Sequence, residues 1–258
     1  MKKVLKSFFL IINYKTLIIT ILSVISTYIC YHLELTARFP DMLVGVAIVF
    51  PVVFSISSAY NRRETALQRL SDFKGHGVAM YYAMRDWPSD RENDIPGQLR
   101  TIINDLAVAM RDMFRKHDRK DWQAYEHKIY DHFSRLSALT MQMRNVGVQS
   151  GEISRISQYV SKMIIAFDNL KVIHSYRTPI TLRAYSKVFI YIFPIIYGPY
   201  FASTFNDYSA NLEYVMPVLY SFILVSLDNI QDHLEHPFDE VGEDDIRIDE
   251  QDLVALMK

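Results

Sequence analysis

The sequence predicts an all-α fold: a polytopic membrane protein with four transmembrane helices and a cytoplasmic helical bundle. Three observations predict it. Long apolar segments fall in two groups, at 17–35 and 44–60 and again at 185–205 and 212–227. Between the groups, residues 64–178 repeat their apolar positions every three or four residues, the spacing of amphipathic helices. No segment alternates apolar and polar residues as a half-buried strand does.

Taken in order, the chain begins with Lys2, Lys3 and Lys6 around a short apolar run that Asn13 and Lys15 interrupt. Val4–Ile12 reads as a short helix on the cytoplasmic face, its lysines toward anionic headgroups. No small-x-small pattern follows, so no cleavage is expected. Leu17–Leu35 approaches the roughly 20 residues that a hydrocarbon core requires. The short connection Thr36–Asp41 makes the first two spans a tight hairpin.

The second span is uncharged from Val44 to Tyr60, holds Pro51, and passes without a break into Asn61-Arg62-Arg63-Glu64. Leu67, Leu70, Phe73, Gly77, Tyr81 and Met84 carry the same helix onward as an amphipathic one, and Trp87-Pro88-Ser89-Asp90 stops it. A second helix of the bundle runs through Leu99, Ile103, Leu106, Met110 and Phe114, opened by Pro96. A third runs from Trp122 through Ile129, Phe133, Leu136 and Thr140 to Met143, and a fourth through Ile153, Ile156, Val160, Met163, Phe167 and Leu170. Each has one apolar stripe, so the four pack as a bundle. After the fourth span the chain turns acidic, and this tail is expected to stay solvated or to lie along a neighbouring subunit. The organisation is thus 1–60 for the amphipathic helix and first two spans, 61–178 for the bundle, 179–234 for the last two spans and 235–258 for the tail.

Lysine and arginine placement gives the orientation. Lys2, Lys3, Lys6 and Lys15 precede the first span, Arg62, Arg63 and Arg69 follow the second, and Arg177, Arg183 and Lys187 lead into the third. The two hairpin loops hold only Arg38. Both termini and the bundle are therefore expected in the cytoplasm.

The composition excludes several classes. A net charge of −1 gives no reason to expect nucleic acid. No glycine-rich phosphate loop, GxSxG or HExxH occurs, so no enzyme and no cofactor are expected. Cys30, the only cysteine, sits in an apolar run and reads as a small buried hydrophobe. His127 with His132 and His233 with His236 read as solvated or hydrogen-bonded histidines, and Pro237 ends the helix that would let the second pair share a metal.

The prolines carry more. Pro51, Pro194, Pro199 and Pro217 each remove a backbone donor and free a carbonyl one turn earlier. In hydrocarbon such a group must be covered by protein or face water, which suits a channel or transporter better than a plain anchor. Beside Pro51, Val46, Phe50 and Phe54 recur every fourth residue, and beyond them come Ser55, Ser57, Ser58 and Ala59. That order suits a hydrophobic constriction opening into a wet vestibule, since apolar constrictions gate by dewetting. It suits equally a lipid-facing or helix-packing stripe, because one apolar helix closes no pore.

The layout resembles the bestrophin family and its bacterial relatives: two spans, a long run of cytoplasmic helices, two more spans and an acidic tail. Phe54 followed by Ser58-Ala59-Tyr60-Asn61-Arg62 is similar to the bacterial pattern of an aromatic, a turn of helix and A-Y-D-R. Arg177-Thr178-Pro179 with Leu182-Arg183-Ala184-Tyr185 resembles the entry of the family's third span. His236-Pro237-Phe238, then Glu243-Asp244-Asp245-Ile246-Arg247-Ile248-Asp249, resembles its N/D-P-F-G motif and the acidic run after it. Asn61 stands where the pattern has aspartate, Asp239 where it has glycine, and Arg63-Glu64-Thr65 where aromatics follow.

The resemblance implies a homopentameric ion channel whose neck is a file of three apolar residues on the second span, here Val46, Phe50 and Phe54. It places a lower constriction around Ile153 or Ile156. Arg62 would stand at the cytoplasmic mouth, attracting anions or, as the family's arginine does, holding a packed helix junction by ion pairing. Animal members bind calcium through the acidic run, bacterial relatives generally do not, and no metal is expected here. The expected function is passive conduction of small monovalent ions, chloride or other anions foremost, with cations also open, in a bacterial inner membrane. The partners are further copies of the chain, the lipid bilayer and small inorganic ions. The rival expectation is a non-conducting, membrane-anchored scaffold or sensor.

Overall fold

The computed structural model describes residues 13–37, 41–89, 93–116, 122–176, 179–204, 212–241, 245–249 and 255–257. Its helices are α1 (Tyr14–His32), α2 (Asp41–Asp86), α3 (Ile95–Phe114), α4 (Trp122–Gln142), α5 (Ser150–Ser175), α6 (Ile180–Ile196), α7 (Gly198–Thr204) and α8 (Leu212–Glu235), with no strand among the described residues. The expected amphipathic helix Val4–Ile12 lies outside them. Among the described residues, two stretches are long and apolar enough to cross a membrane, Tyr14–His32 and part of Ser150–Ile196. Two compact units emerge, residues 1–63 with 177–236 and residues 64–176 with 237–258.

In the first unit α1 packs on α8, α7 and α6, and α6 on α8. Asn13 caps α1, its side-chain oxygen accepting from the amides of Lys15 and Thr16 at 3.0 and 3.3 Å. Ile19, Ile48, Val52, Ile190, Leu224 and Val225 form its apolar centre. The expected third span is broken in two. Pro199 offers no amide to the Ile195 carbonyl, and α6 ends at Ile196. α1 covers the break: Ser26 Oγ donates to the Ile195 carbonyl and Ser23 Oγ to that of Pro194, both at 2.7 Å. Gly198 permits the approach, because a Cβ there would lie 2.4 Å from Ser26 Oγ and 3.0 Å from the Ser26 carbonyl carbon. These carbonyls are satisfied by protein, so this break supplies no wet surface and gives no support to a channel over an anchor.

In the second unit α2 continues to Asp86, where the sequence signal placed its end. Its buried face, with Leu70, Phe73, Met80 and Met84, joins Leu99, Ile103, Leu106, Met110 and Met113 of α3, Ile129, Phe133 and Leu136 of α4 and Met163, Phe167 and Leu170 of α5 in one core. Each such side chain contributes about 1.5–3 kcal/mol by leaving water. At Gly77 a Cβ would be 3.6 Å from both Ile103 Cδ1 and Met163 Cε, so the helices meet at van der Waals distance there.

The tail departs from the expectation that it stays solvated or lies on a neighbour. Phe238, Ile246, Ile248 and Met257 are buried in this same core. Phe238 stacks on Phe114 with centroids 4.9 Å apart, beside His174 stacked on Trp122 at 4.7 Å. The Ile246 amide donates to the Pro237 carbonyl at 2.7 Å, Tyr82 Oη to that of Leu256 at 3.2 Å, and Arg115 pairs with Glu240. Reading the tail by its charges hid the apolar residues spaced among them.

His132 sits in α4 at 4 % exposure, and neither ring nitrogen has a hydrogen-bond partner. Burial, with Arg135 nearby, lowers its pKa from the ordinary 6.5, against the pull of Asp105. His76 shifts the same way, from burial and Lys162. The unfolded chain thus takes up protons that the folded one refuses. Stability is full above pH 6.5 and falls as the pH drops from there toward the lowered folded-state values. Thermal melts from pH 7.5 to 5.5 are expected to show this decline, and His132→Leu to flatten it. An unaltered slope in that variant would assign the pH dependence to other groups.

Candidate pore-lining site

α2 has two faces over its first part. Ile48, Val52, Ser55 and Ala59 are buried. On the other side Val46, Phe50 and Phe54 are 53 %, 60 % and 55 % exposed, with Val49 and Val53 beside them at similar exposure. At about 100° per residue, Val46, Phe50 and Phe54 span an arc of about 80°. The rings of Phe50 and Phe54 meet edge to face at 4.7 Å, which holds the two aromatics as one ridge. The chain thus presents an apolar ridge that none of the described residues covers.

Below the ridge the same face changes character. Ser57, Tyr60 and Asn61 are exposed, and from Val46 to Asn61 no exposed position carries a charge. Arg62 is half-buried. It lies about 160° around the helix from Val46, off the arc of the ridge, a placement that fits a helix junction better than a pore mouth.

Ile153 and Ile156, around which a lower constriction is expected, are both buried within the single chain. Both side chains are core residues of the second unit, at 4 % and 0 % exposure, among Leu99, Ile103 and Met163. A side chain packed inside one protomer rings no lumen. Their three-residue spacing on α5 is the core stripe of that helix.

Sequence reading also missed a charged knot in the first unit. Arg183 Nη1 donates to Glu235 Oε2 at 2.8 Å, and the Glu235 side chain is 0 % exposed. Lys187 Nζ lies 3.2 Å from Asp232 and 3.9 Å from Asp228, which is fully buried and accepts from Tyr191 Oη at 2.6 Å. Lys15 approaches Asp232 at 3.7 Å, and Asn13 Nδ2 donates to Asn229 at 2.8 Å. The signal was present: Arg183, Lys187 and Tyr191 at four-residue spacing on one helix, and Asp228, Asp232 and Glu235 at four- and three-residue spacing on another. Counting the cations for orientation and the acids as the start of a tail separated the partners.

Among the described residues no group of three His, Cys, Asp or Glu is placed to hold a metal ion. His236 Nδ1 lies 2.9 Å from the Asp232 carbonyl.

No family model matches the sequence, and no curated protein matches it. Solved structures do match the fold. A crystal structure of a bacterial bestrophin homolog from Klebsiella pneumoniae superposes with a TM-score of 0.72 at 17 % identity, covering 95 % of this chain and 97 % of that one. A structure described as a membrane protein superposes with a TM-score of 0.74 at 15 % identity, covering 95 % of this chain and 97 % of the other. Along nearly its whole length, the chain has the fold of the bacterial bestrophin homologs.

Proposed function

We propose that this protein is an ion channel of the bestrophin type: a homopentamer that conducts small monovalent ions passively through a pore on its five-fold axis, in a bacterial inner membrane with both termini in the cytoplasm. The observation that carries the reading is the uncovered apolar ridge of Val46, Phe50 and Phe54 on α2. Five such ridges around an axis form a hydrophobic neck, and closed symmetry accounts for a ridge that one chain leaves bare. The fold shared with bestrophin homologs supports the same assembly. Val49 and Val53, on the flank of the ridge, are then the positions at which neighbouring α2 helices pack. The neck carries no charge, so anions such as chloride and monovalent cations are both admissible cargo. Neither a cofactor nor an enzymatic step enters this reading.

Subunit count tests it cheaply. Native mass spectrometry of the detergent-solubilised protein is expected to give five times the 30.2 kDa chain mass. A monomer or dimer has no axis for a pore and would sink the proposal in favour of a scaffold.

A further inference from the structure

The channel reading leaves open where a dehydrated ion regains partners after the neck, and the exposed face of α2 supplies a candidate. We infer that Ser57, with Asn61 one turn on, forms a neutral polar belt that coordinates the permeating monovalent ion below the neck and governs which sign of ion passes. The inference rests on the pentameric channel reading. Its observations are three. Ser57 and Asn61 are exposed, whereas Ser55 before them and Ala59 between them are buried. Ser57 lies about 20° around the helix from Val46 and Asn61 about 60°, both inside the arc of about 80° that the neck residues occupy. The face from Val46 to Asn61 is free of charge, Arg62 stands about 140° around the helix from Ser57 and about 100° from Asn61, and the first charged residue in line with Val46 is the half-buried Glu64 beyond the belt.

The chemistry follows from the groups. A serine hydroxyl and an asparagine carboxamide each offer both a donor and an acceptor. Their oxygens serve a cation, and their O–H and N–H groups serve an anion. Five copies of each, around one axis, replace part of the hydration shell of an ion of either sign. Such a belt discriminates weakly, and a single introduced charge per subunit dominates it.

The test is the reversal potential in planar bilayers under a potassium chloride gradient, for the wild type, Ser57→Asp and Ser57→Lys. Ser57 is exposed, and native mass spectrometry checks that each variant assembles as the wild type does. Ser57→Asp is expected to shift the potassium-to-chloride permeability ratio toward potassium by about fivefold, and Ser57→Lys to shift it as far toward chloride. Asn61→Asp repeats the first shift as a second variant. Currents from all forms with an unchanged ratio would overturn the belt while leaving the channel standing. Absence of current from every form, the wild type included, would overturn both.

Discussion

Replacing Arg183 by alanine is expected to destabilise the first unit by about 3 kcal/mol. The cause is the partner left behind. The Glu235 side chain is fully buried, and Arg183, itself 23 % exposed, donates to it at 2.8 Å. Among the described residues, Gln231 Nε2 at 3.0 Å would remain to share the carboxylate. An unpaired buried carboxylate keeps its desolvation penalty and loses its compensation, whereas removing both charges is far cheaper. Thermal unfolding in detergent should therefore fall sharply for Arg183→Ala and recover most of the loss in the double variant Arg183→Ala, Glu235→Gln. Equal melting temperatures for the wild type and Arg183→Ala would show the pair to be ornamental.

The same residues show what the sequence disclosed and what it withheld. Helix existence was legible wherever a stripe repeated at three and four: Leu99 to Phe114 and Ile153 to Leu170 stand inside α3 and α5, and the stripe from Trp122 to Met143 fills α4 and overruns its end by one residue. The continuous run through Pro51 into Asp86 was legible too, because no second proline interrupts it before Trp87-Pro88. Periodicity says that a face is buried but not against what. Ile153 and Ile156 illustrate the gap: their stripe is core, and only packing distinguishes a core residue from one facing a lumen. The Arg183–Glu235 pair joins residues 52 apart in sequence, and such pairings are fixed by tertiary structure. The tail misled for another reason. Its acids are conspicuous, while the energy of its docking comes from Phe238, Ile246, Ile248 and Met257.

The neck residues stand differently. Four-residue spacing predicted a shared side of α2, and the exposed ridge now has a position relative to the buried line of Ile48, Val52, Ser55 and Ala59. Pro51 belongs to the same segment, inside a helix that stays continuous around it. The sequence offered lipid, a packing partner or a pore for this ridge. Under the proposed channel reading, the ridge continues into the exposed Ser57 and Asn61.

The second large effect lies at this ridge. In the proposed pentamer, three alanines at Val46, Phe50 and Phe54 remove most of the apolar bulk from each of five helices. A dewetted constriction lined by bulky side chains becomes a wider one that water fills more readily. Conduction is expected to rise about tenfold, as lowering the barrier by ~1.4 kcal/mol would give. Because these positions are exposed within one chain, the folded core loses little, and assembly remains measurable by mass. The most direct measurement is single-channel recording in planar bilayers of the purified wild type and of the triple variant Val46→Ala, Phe50→Ala, Phe54→Ala. Discrete currents from the wild type, and larger, less interrupted ones from the variant, are the expected result. Silence from both forms, or identical currents from the two, would contradict a neck made of these residues.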